Sequence, residues 1–162
     1  MLNFSINTYL KIIFFISLIS ILSALFIENV LGHQPCNLCL MQRIPYGLSI
    51  ILIFLNYFLK KDQKFIVMLL ALIFSFSFVI SFYHFGIEQG FFKESTVCGL
   101  NNKSEIISKE EILKQLSQKT ISCKDVTFRI FGLSLTTFNM MLSLFLSILL
   151  IYIFRGYDRF KK

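Results

Sequence analysis

Four long apolar stretches constrain this chain more than any other feature of its sequence. They occupy residues 9–27, 44–59, 65–85 and 133–154, and Lys11 is the one Lys, Arg, Asp or Glu inside them. About 20 apolar residues in a helix, each rising about 1.5 Å, cross the hydrocarbon core of a bilayer. The second stretch is shorter than this and needs its flanks in order to span. We predict an all-α membrane protein built as a four-helix transmembrane bundle.

Composition supports a membrane protein and excludes a soluble domain. Hydrophobic residues make up 56% of the chain, and the mean hydropathy is +0.72, which is too apolar for a soluble protein of this size. The stretches are apolar throughout, whereas the strands of a membrane barrel would alternate in polarity. Ser23-Ala24-Leu25 is a poor signal-peptidase site, so we expect the first stretch to be retained as a span. The four spans form one domain over residues 1–162.

The basic residues indicate how the spans are oriented. Short cytoplasmic segments of membrane proteins are enriched in Lys and Arg. Two such segments are the link between the second and third spans and the C-terminal tail, which contain Lys60, Lys61, Lys64, Arg155, Arg159, Lys161 and Lys162. We therefore place both termini in the cytoplasm and the loops 28–43 and 86–132 outside. The net charge of +7 then suits the headgroups of the lipid bilayer, and nothing indicates nucleic-acid binding.

All four cysteines fall in the two external loops. Cys36 and Cys39 form a C-x-x-C motif ahead of the second span, and Cys98 and Cys123 lie 25 residues apart in the second loop. Disulfides persist outside the cytoplasm and are rare in the cytosol, so the cysteine positions support the predicted orientation. A C-x-x-C pair closes a small disulfide that exchanges readily with other thiols. The motif therefore indicates redox chemistry.

Two features near the motif predict a stabilised thiolate at Cys39. A helix N-terminus favours negative charge through its free N–H groups, and Arg43 would stand one helical turn above Cys39. Pro45 suits the first turn of a helix, so the regular helix would alternatively begin near residue 44. The four cysteines would in principle bind zinc, but their second pair is not closely spaced, as a zinc site usually requires.

The second cysteine pair and its loop each leave two interpretations open. A disulfide between Cys98 and Cys123 would stabilise the loop by about 3–4 kcal/mol as an inert crosslink. Beside an external C-x-x-C, it would instead exchange electrons with that motif. Residues 108–116 begin with a capping box and carry an apolar side, which predicts a short helix. That helix would lie in the membrane interface or pack on the loop as a solvated helix.

Three ionisable side chains stand near the outer ends of the spans. Arg43, His84 and Glu88 are candidates for contacting a cofactor, because a charge at a span end is costly unless it is hydrated or used. Arg43 would stabilise negative charge that develops on a carbonyl oxygen, as the reduction of a quinone requires. For His84, a hydrogen bond to interfacial water is an equal alternative.

Several segments carry a resemblance to a known family. PCNLCLMQRIPY (35–46), YHFGIEQG (83–90) and FGLSL (131–135) with Asn139, together with the widely spaced Cys98 and Cys123, resemble the disulfide bond formation protein B (DsbB) family. The resemblance implies a four-helix oxidase that reoxidises a periplasmic DsbA-like thioredoxin-fold protein. The electrons would pass to membrane quinone, either ubiquinone or menaquinone. It also implies a multi-pass protein of the bacterial inner membrane.

The resemblance further implies a role for each cysteine. Cys36 would pair with Cys39, and Cys98 with Cys123, in two disulfides. The partner's thiolate would attack Cys98 and release Cys123, which would then engage Cys36. Cys39 would be left as the thiolate that faces the quinone.

Three other residues match family positions near the quinone. Arg43 matches the arginine that supports the quinone adduct. His84 and Glu88 match a segment near the quinone pocket. The resemblance implies neither a metal nor a nucleotide.

Two other functions are compatible with cysteines in external loops. A vitamin K epoxide reductase-like enzyme also combines four helices with C-x-x-C, but its motif near the quinone comes late in the chain, after the loop pair. A non-catalytic scaffold or transporter subunit would use its disulfides only to hold loops together. The spans show no charged or polar residues of the kind that a transport path needs, which argues against a transporter.

Overall fold

The computed structural model describes residues 6–59, 63–93, 123, 129–130 and 133–157. Within these residues the chain forms four helices, α1 (Ile6–Asn29), α2 (Asn37–Leu59), α3 (Gln63–Glu88) and α4 (Leu135–Arg155). Two short strands, β1 (Arg129–Ile130) and β2 (Leu133–Ser134), pair antiparallel ahead of α4. All four helices are long and apolar enough to cross a bilayer. The predicted all-α transmembrane bundle is confirmed.

The helices α1 and α3 begin three and two residues before the predicted spans, and the starts of α2 and α4 differ for identifiable reasons. The second span was expected over 44–59, but α2 begins at Asn37 and continues through Pro45, which lengthens it to 23 residues. The fourth was expected from 133, but residues 133–134 pair in the hairpin and α4 begins at Leu135. Ser134 is the N-cap of α4, because its Oγ accepts a hydrogen bond from the Thr137 amide at 3.3 Å. Such caps satisfy N–H groups that have no partner within the helix.

The helices pack around an apolar core. Contact is most extensive between α3 and α4, and α2 lies against both α1 and α3. Ile13, Leu70, Phe74, Leu146 and Leu150 are fully buried in this core. The outward faces carry exposed apolar side chains, as expected for helices that contact lipid.

The interior also contains hydroxyl groups, which corrects the prediction that the spans lack polar residues. Ser49 Oγ donates to Ser17 Oγ at 2.8 Å, and the hydroxyls of Ser75 and Ser147 lie 2.7 Å apart. Small hydroxyl residues allow close helix packing and bond across helices in lipid. The hydropathy of a span does not reveal them, because single serines barely lower its average.

A tight turn ends α3 close to the external cysteines. The Phe91 and Phe92 amides both donate to the Gly86 carbonyl, at 2.8 and 3.1 Å, and Gly90 adopts a φ of 80°. A Cβ at Gly86 would overlap the Phe92 ring, which stacks on Tyr83. Glycine is therefore required at the point where the chain folds back over α3. The helix predicted over residues 108–116 lies outside the described residues.

Candidate functional site

Cys36 occupies the N-cap position of α2. Its carbonyl accepts from the Leu40 amide at 3.1 Å, and its Sγ accepts from the Cys39 amide at 3.3 Å. An N-cap side chain can accept hydrogen bonds from the free N–H groups of the first turn. The helix terminus therefore stabilises negative charge on Cys36, which corrects the expectation that it would act on Cys39.

The two thiols of the motif lie side by side. Cys36 and Cys39 are free cysteines with their Sγ atoms 2.8 Å apart. Cys36 is buried and Cys39 is half-buried. The disulfide that the resemblance implies between them stays a prediction, and the structure places both sulfurs where it would form.

The surroundings of Cys36 favour its thiolate. The hydrogen bond from the Cys39 thiol, aided by His84, lowers the pKa of Cys36 from 9.0 to about 4, against the opposing effect of burial. Cys36 lies just outside the spanning part of α2. At neutral pH the reduced pair therefore carries one negative charge, and that charge resides on Cys36.

Cys123 lies against the same motif. It is disulfide-bonded, is only 3% exposed, and belongs to a buried cluster with Cys36, Leu38 and Ile87. Cys98 lies outside the described residues. The structure thus brings one cysteine of the long loop next to the C-x-x-C pair, although 84 residues separate Cys123 from Cys39. Their proximity was implied only by the family resemblance.

His84 connects the motif to α3. Its ring is 1% exposed, and Nε2 lies 3.6 Å from Cys36 Sγ. Nε2 also lies 3.8 Å from Glu88 Oε1. The Glu88 carboxylate accepts hydrogen bonds from the Thr136 hydroxyl at 2.6 Å and the Ser134 hydroxyl at 2.5 Å. Both His84 and Glu88, which sequence reasoning singled out, are therefore held inside the bundle beside Cys36.

Arg43 takes a different partner from the one expected. Its Nη1 lies 2.5 Å from Oε2 of Glu28 at the end of α1, in a partly exposed ion pair. The sequence placed Arg43 over Cys39, but α1 ends close enough for Glu28 to bind it. Glu28 was not among the predicted site residues, because nothing in the sequence shows which acid the arginine would meet.

A buried amide chain was missed by sequence reasoning. Gln42 Nε2 lies 2.9 Å from His84 Nδ1, and Asn139 Nδ2 donates to Gln42 Oε1 at 3.0 Å. The Tyr46 hydroxyl donates to Asn139 Oδ1 at 2.5 Å. Gln42, Tyr46 and Asn139 all lie in segments that carry the family resemblance. That resemblance was the one feature of the sequence that pointed to these three residues. Their contacts depend on packing between α2, α3 and α4.

These residues line one cavity of about 460 Å³ between the helices. Its wall includes Cys36, Cys39, Arg43, His84, Glu88 and Cys123. The rest is mostly apolar, with Ile19, Ile27, Phe138 and Leu142. A mainly apolar cavity with a few polar groups at one end is suited to a flat, lipid-soluble ligand. The sulfurs of Cys36 and Cys39 and a ring nitrogen of His84 also lie within 4.8 Å of one another, a distance compatible with a thiophilic metal.

Comparison with known proteins identifies the family. The model of the family described as "Disulfide bond formation protein DsbB" matches residues 7–153. The chain is 27% identical to an uncharacterized protein of Rickettsia prowazekii (strain Madrid E), over 93% of this chain and 96% of that protein. It is 34% identical to the SPbeta prophage-derived disulfide bond formation protein B of Bacillus subtilis (strain 168), over 61% of this chain and 65% of that one. No solved structure matches.

The chain therefore belongs to the DsbB family. With its four spanning helices, it is a multi-pass membrane protein of disulfide bond formation.

Proposed function

We propose that this DsbB-family protein takes electrons from a reduced thioredoxin-fold partner outside the inner membrane and passes them to membrane quinone. The overall result is the formation of disulfide bonds in the partner and, through it, in other proteins. The single observation that carries the proposal is the position of the Cys36 and Cys39 dithiol. It lies in the wall of a mainly apolar cavity between spanning helices, with the disulfide-bonded Cys123 packed against it.

The two cysteine pairs have different partners. Cys123 belongs to the loop that the charge pattern predicts to lie outside, where we expect a soluble partner to meet its disulfide. We expect the partner's thiolate to attack Cys98. The electron pair leaves with Cys123, which then attacks Cys36 and forms a new disulfide. Cys39 departs as a thiolate at that step. The burial of Cys123 beside Cys36 supports this exchange, because thiolate attack requires the sulfurs to meet.

The cavity residues fit a quinone. Ile19, Phe138 and Leu142 offer apolar contacts, while Arg43 offers a cation at the same wall as Cys39. A bound quinone would accept two electrons and two protons as the dithiol closes to a disulfide. Arg43 would stabilise negative charge on a carbonyl oxygen, and in the structure its guanidinium is paired with Glu28. The proposed acceptor is either ubiquinone or menaquinone.

The orientation of the bundle follows from charge. The link after α2 contains Lys60, Lys61 and Lys64, and the opposite end of α2 carries the cysteines. The positive-inside rule then puts the lysines in the cytoplasm and the cavity mouth outside. An oxidising exterior is also where a disulfide at Cys123 would persist.

Anaerobic mixing of the reduced protein with a short-chain quinone tests the proposal. With Cys36 and Cys39 reduced and the loop disulfide intact, we expect about one quinol per protein molecule, measured as the loss of the quinone absorption band. Cys39→Ser should form no quinol, while Ser75→Ala, a change remote from the cavity, should form as much as the parent protein. Quinol formation at full rate by Cys39→Ser would overturn the assignment of this cysteine.

Trapping tests the partner. In Cys123→Ser, Cys98 is a free thiol that can attack the disulfide of an oxidised partner, which releases one partner thiolate. Without Cys123 beside it to displace the partner, this mixed disulfide should accumulate. Mass spectrometry of the non-reduced complex should then find a partner with a thioredoxin-like C-x-x-C motif on Cys98. If Cys98 is found only as a free thiol under these conditions, the proposed relay from a soluble partner is wrong.

A further inference from the structure

We propose that Gln42, Asn139 and Tyr46 are positioning residues that hold His84 with its proton on Nε2 and direct that proton at the Cys36 sulfur. In the described part of the chain, none of the three forms a side-chain hydrogen bond with Cys36 or Cys39. They act through one another in a chain of hydrogen bonds that runs in one direction. The consequence for exchange rests on the proposed function, whereas the geometry does not.

The direction of the chain is set at Tyr46. The Tyr46 hydroxyl lies 2.5 Å from the Asn139 amide, a distance that suits O–H···O but is too short for N–H···O. The atom facing Tyr46 is therefore Oδ1 of Asn139, which only accepts. The Tyr46 hydroxyl consequently donates its proton to Asn139.

Once Oδ1 faces Tyr46, the Asn139 amino group must face the other way. Its two protons go to Ser81 Oγ at 2.7 Å and Gln42 Oε1 at 3.0 Å. Gln42 then presents its own amino group to His84 Nδ1 at 2.9 Å. An amide NH₂ donates and does not accept, so Nδ1 must offer a lone pair. Neutral His84 therefore carries its proton on Nε2.

The Nε2 proton has one partner within reach in the described residues. Cys36 Sγ lies 3.6 Å away, within the range for sulfur, while Glu88 Oε1 at 3.8 Å is beyond hydrogen-bond distance. The Thr136 hydroxyl lies 3.3 Å from Nδ1, but its proton is already donated to Glu88. With this tautomer, Nε2 offers no lone pair to a metal, although its distance from the sulfurs would permit one.

The directed proton favours one step of the exchange. In the proposed exchange, the Cys98 thiolate attacks Cys123 in the disulfide between Cys123 and Cys36. A new bond forms between Cys98 and Cys123, and the bond between Cys123 and Cys36 breaks. The electron pair leaves on the Cys36 sulfur, so no other oxidant or reductant is needed. A hydrogen bond from His84 stabilises that leaving thiolate. Exchange is thereby biased toward closing the loop disulfide again.

Nitrogen NMR of the histidine rings tests the tautomer directly. The chain has two histidines, so selective ¹⁵N-histidine labelling gives two sets of ring signals, which His33→Gln assigns. In the reduced protein we expect His84 to show an unprotonated Nδ1 and a protonated Nε2. A protonated Nδ1 with a bare Nε2 would overturn the inference.

A pH profile separates a positioning role from simple packing. The titratable groups that face His84 and Cys36 are Cys39 and Glu88, with Arg43 and His33 across the cavity. Gln42→Met keeps the volume but removes the donor to Nδ1, so alkylation of Cys36 at acidic pH should slow by about three- to tenfold. Mass spectrometry of the alkylated peptides reads Cys36 separately from Cys39.

Two further variants keep the test decisive if Gln42→Met folds poorly. Tyr46→Phe removes only the first donor of the chain and should shift the profile of Cys36 in the same direction by a smaller amount. Ser75→Ala removes an interior hydroxyl outside the chain and should leave the profile unchanged. An unchanged profile in Tyr46→Phe and Gln42→Met would contradict the proposal. Because none of these measurements requires a quinone or a partner, failure here is distinguishable from failure of the proposed function.

Discussion

The two ends of the bundle use polar groups in different ways. Toward the lysine-rich link, hydroxyls such as Ser75 and Ser147 form a closed pair within an apolar core. At the cysteine end, hydrogen bonds run from Tyr46 to His84 and finish at a reactive sulfur in the cavity wall. The two serine hydroxyls bond to each other and contribute to packing. In the chain from Tyr46 to His84, the orientation of each side chain instead fixes the orientation of the next. We therefore expect changes at one end to affect chemistry and changes at the other to affect stability.

The largest expected effect is on the chemistry of the cysteine end. Cys36→Ser removes the sulfur through which the loop cysteines and the C-x-x-C motif exchange disulfides. Disulfide formation coupled to quinone reduction should therefore fall to background, while the fold is retained. Quinol formation and thermal unfolding of the purified protein measure the two properties separately. Substantial remaining turnover in this variant would contradict the assignment of the chemistry to the cysteine end of the bundle.

The opposite pattern is expected in the core. Leu70 is fully buried among α3 and α4 residues, and Leu70→Ala should lower the free energy of unfolding by about 2–5 kcal/mol. Turnover per folded molecule should remain near that of the parent protein. Unfolding in mild detergent, monitored by circular dichroism, gives the loss of stability. A matched fall in turnover per folded molecule would show that the core also shapes the site.

A change in pH should affect the cysteine end through the titration of Cys36. The pKa of Cys36 is lowered from 9.0 to about 4, so its thiolate stabilises the reduced fold fully above pH 9. That contribution is lost as the pH falls through about 4. Alkylation of Cys36 should stay fast down to about pH 5, whereas an ordinary thiol slows tenfold per unit below its pKa. A midpoint near 8 or 9 would contradict the hydrogen bonds that Cys36 accepts, above all the one from the Cys39 thiol.

The ion pair of the cysteine end should have a moderate effect. Arg43→Gln removes the cation from the cavity wall, so the apparent KM for quinone should rise by about tenfold. Glu28→Gln leaves the arginine unpaired and should lower that KM by a smaller factor, since a partly exposed pair contributes about 1 kcal/mol or less. Steady-state kinetics at two salt concentrations measure both. Equal changes in the same direction would show that Glu28 does not restrain Arg43.

The smallest effect is expected for a closed hydroxyl pair. Ser75→Ala removes one partner of Ser147, and interhelical hydrogen bonds in membrane proteins average about 0.6 kcal/mol. The same unfolding assay should therefore detect little change, and turnover should be unaltered. A loss of turnover here would place the serine pair in the functional chain.

The sequence predicted the number and positions of the helices well, because the hydropathy of four stretches is a local property. It left two starts open for α2, one at the C-x-x-C motif and one near residue 44. Pro45 suggested a start near residue 44, yet the helix begins at Asn37 because Cys36 itself supplies the cap. A cysteine is not among the usual N-cap residues, so N-cap preferences did not predict a helix start after Cys36.

The sequence predicted which residues form the candidate site, but it did not predict which residues they contact. Motif and resemblance identified Cys36, Cys39, Arg43, His84 and Glu88, and all five line the cavity. The partners of these groups come from other helices and could not be read from spacing. Glu28 binds Arg43 across 15 residues, and Asn139 binds Gln42 across 97. Such pairs depend on packing that one sequence does not reveal.

The central claim is that the two cysteine pairs exchange disulfides at the cysteine end of the bundle. Cys39→Ser tests it most directly, because a disulfide between Cys123 and Cys36 then has no thiol at position 39 to resolve it. The Cys36 thiolate can attack Cys123 in the loop disulfide, which releases Cys98 as a thiolate. After mixing with an oxidised thioredoxin-fold partner, whose own disulfide captures the released Cys98, digestion without reduction should yield a peptide that joins Cys36 to Cys123. If the digest contains Cys36 only as a free thiol, the buried contact between the two pairs is structural and the account is wrong.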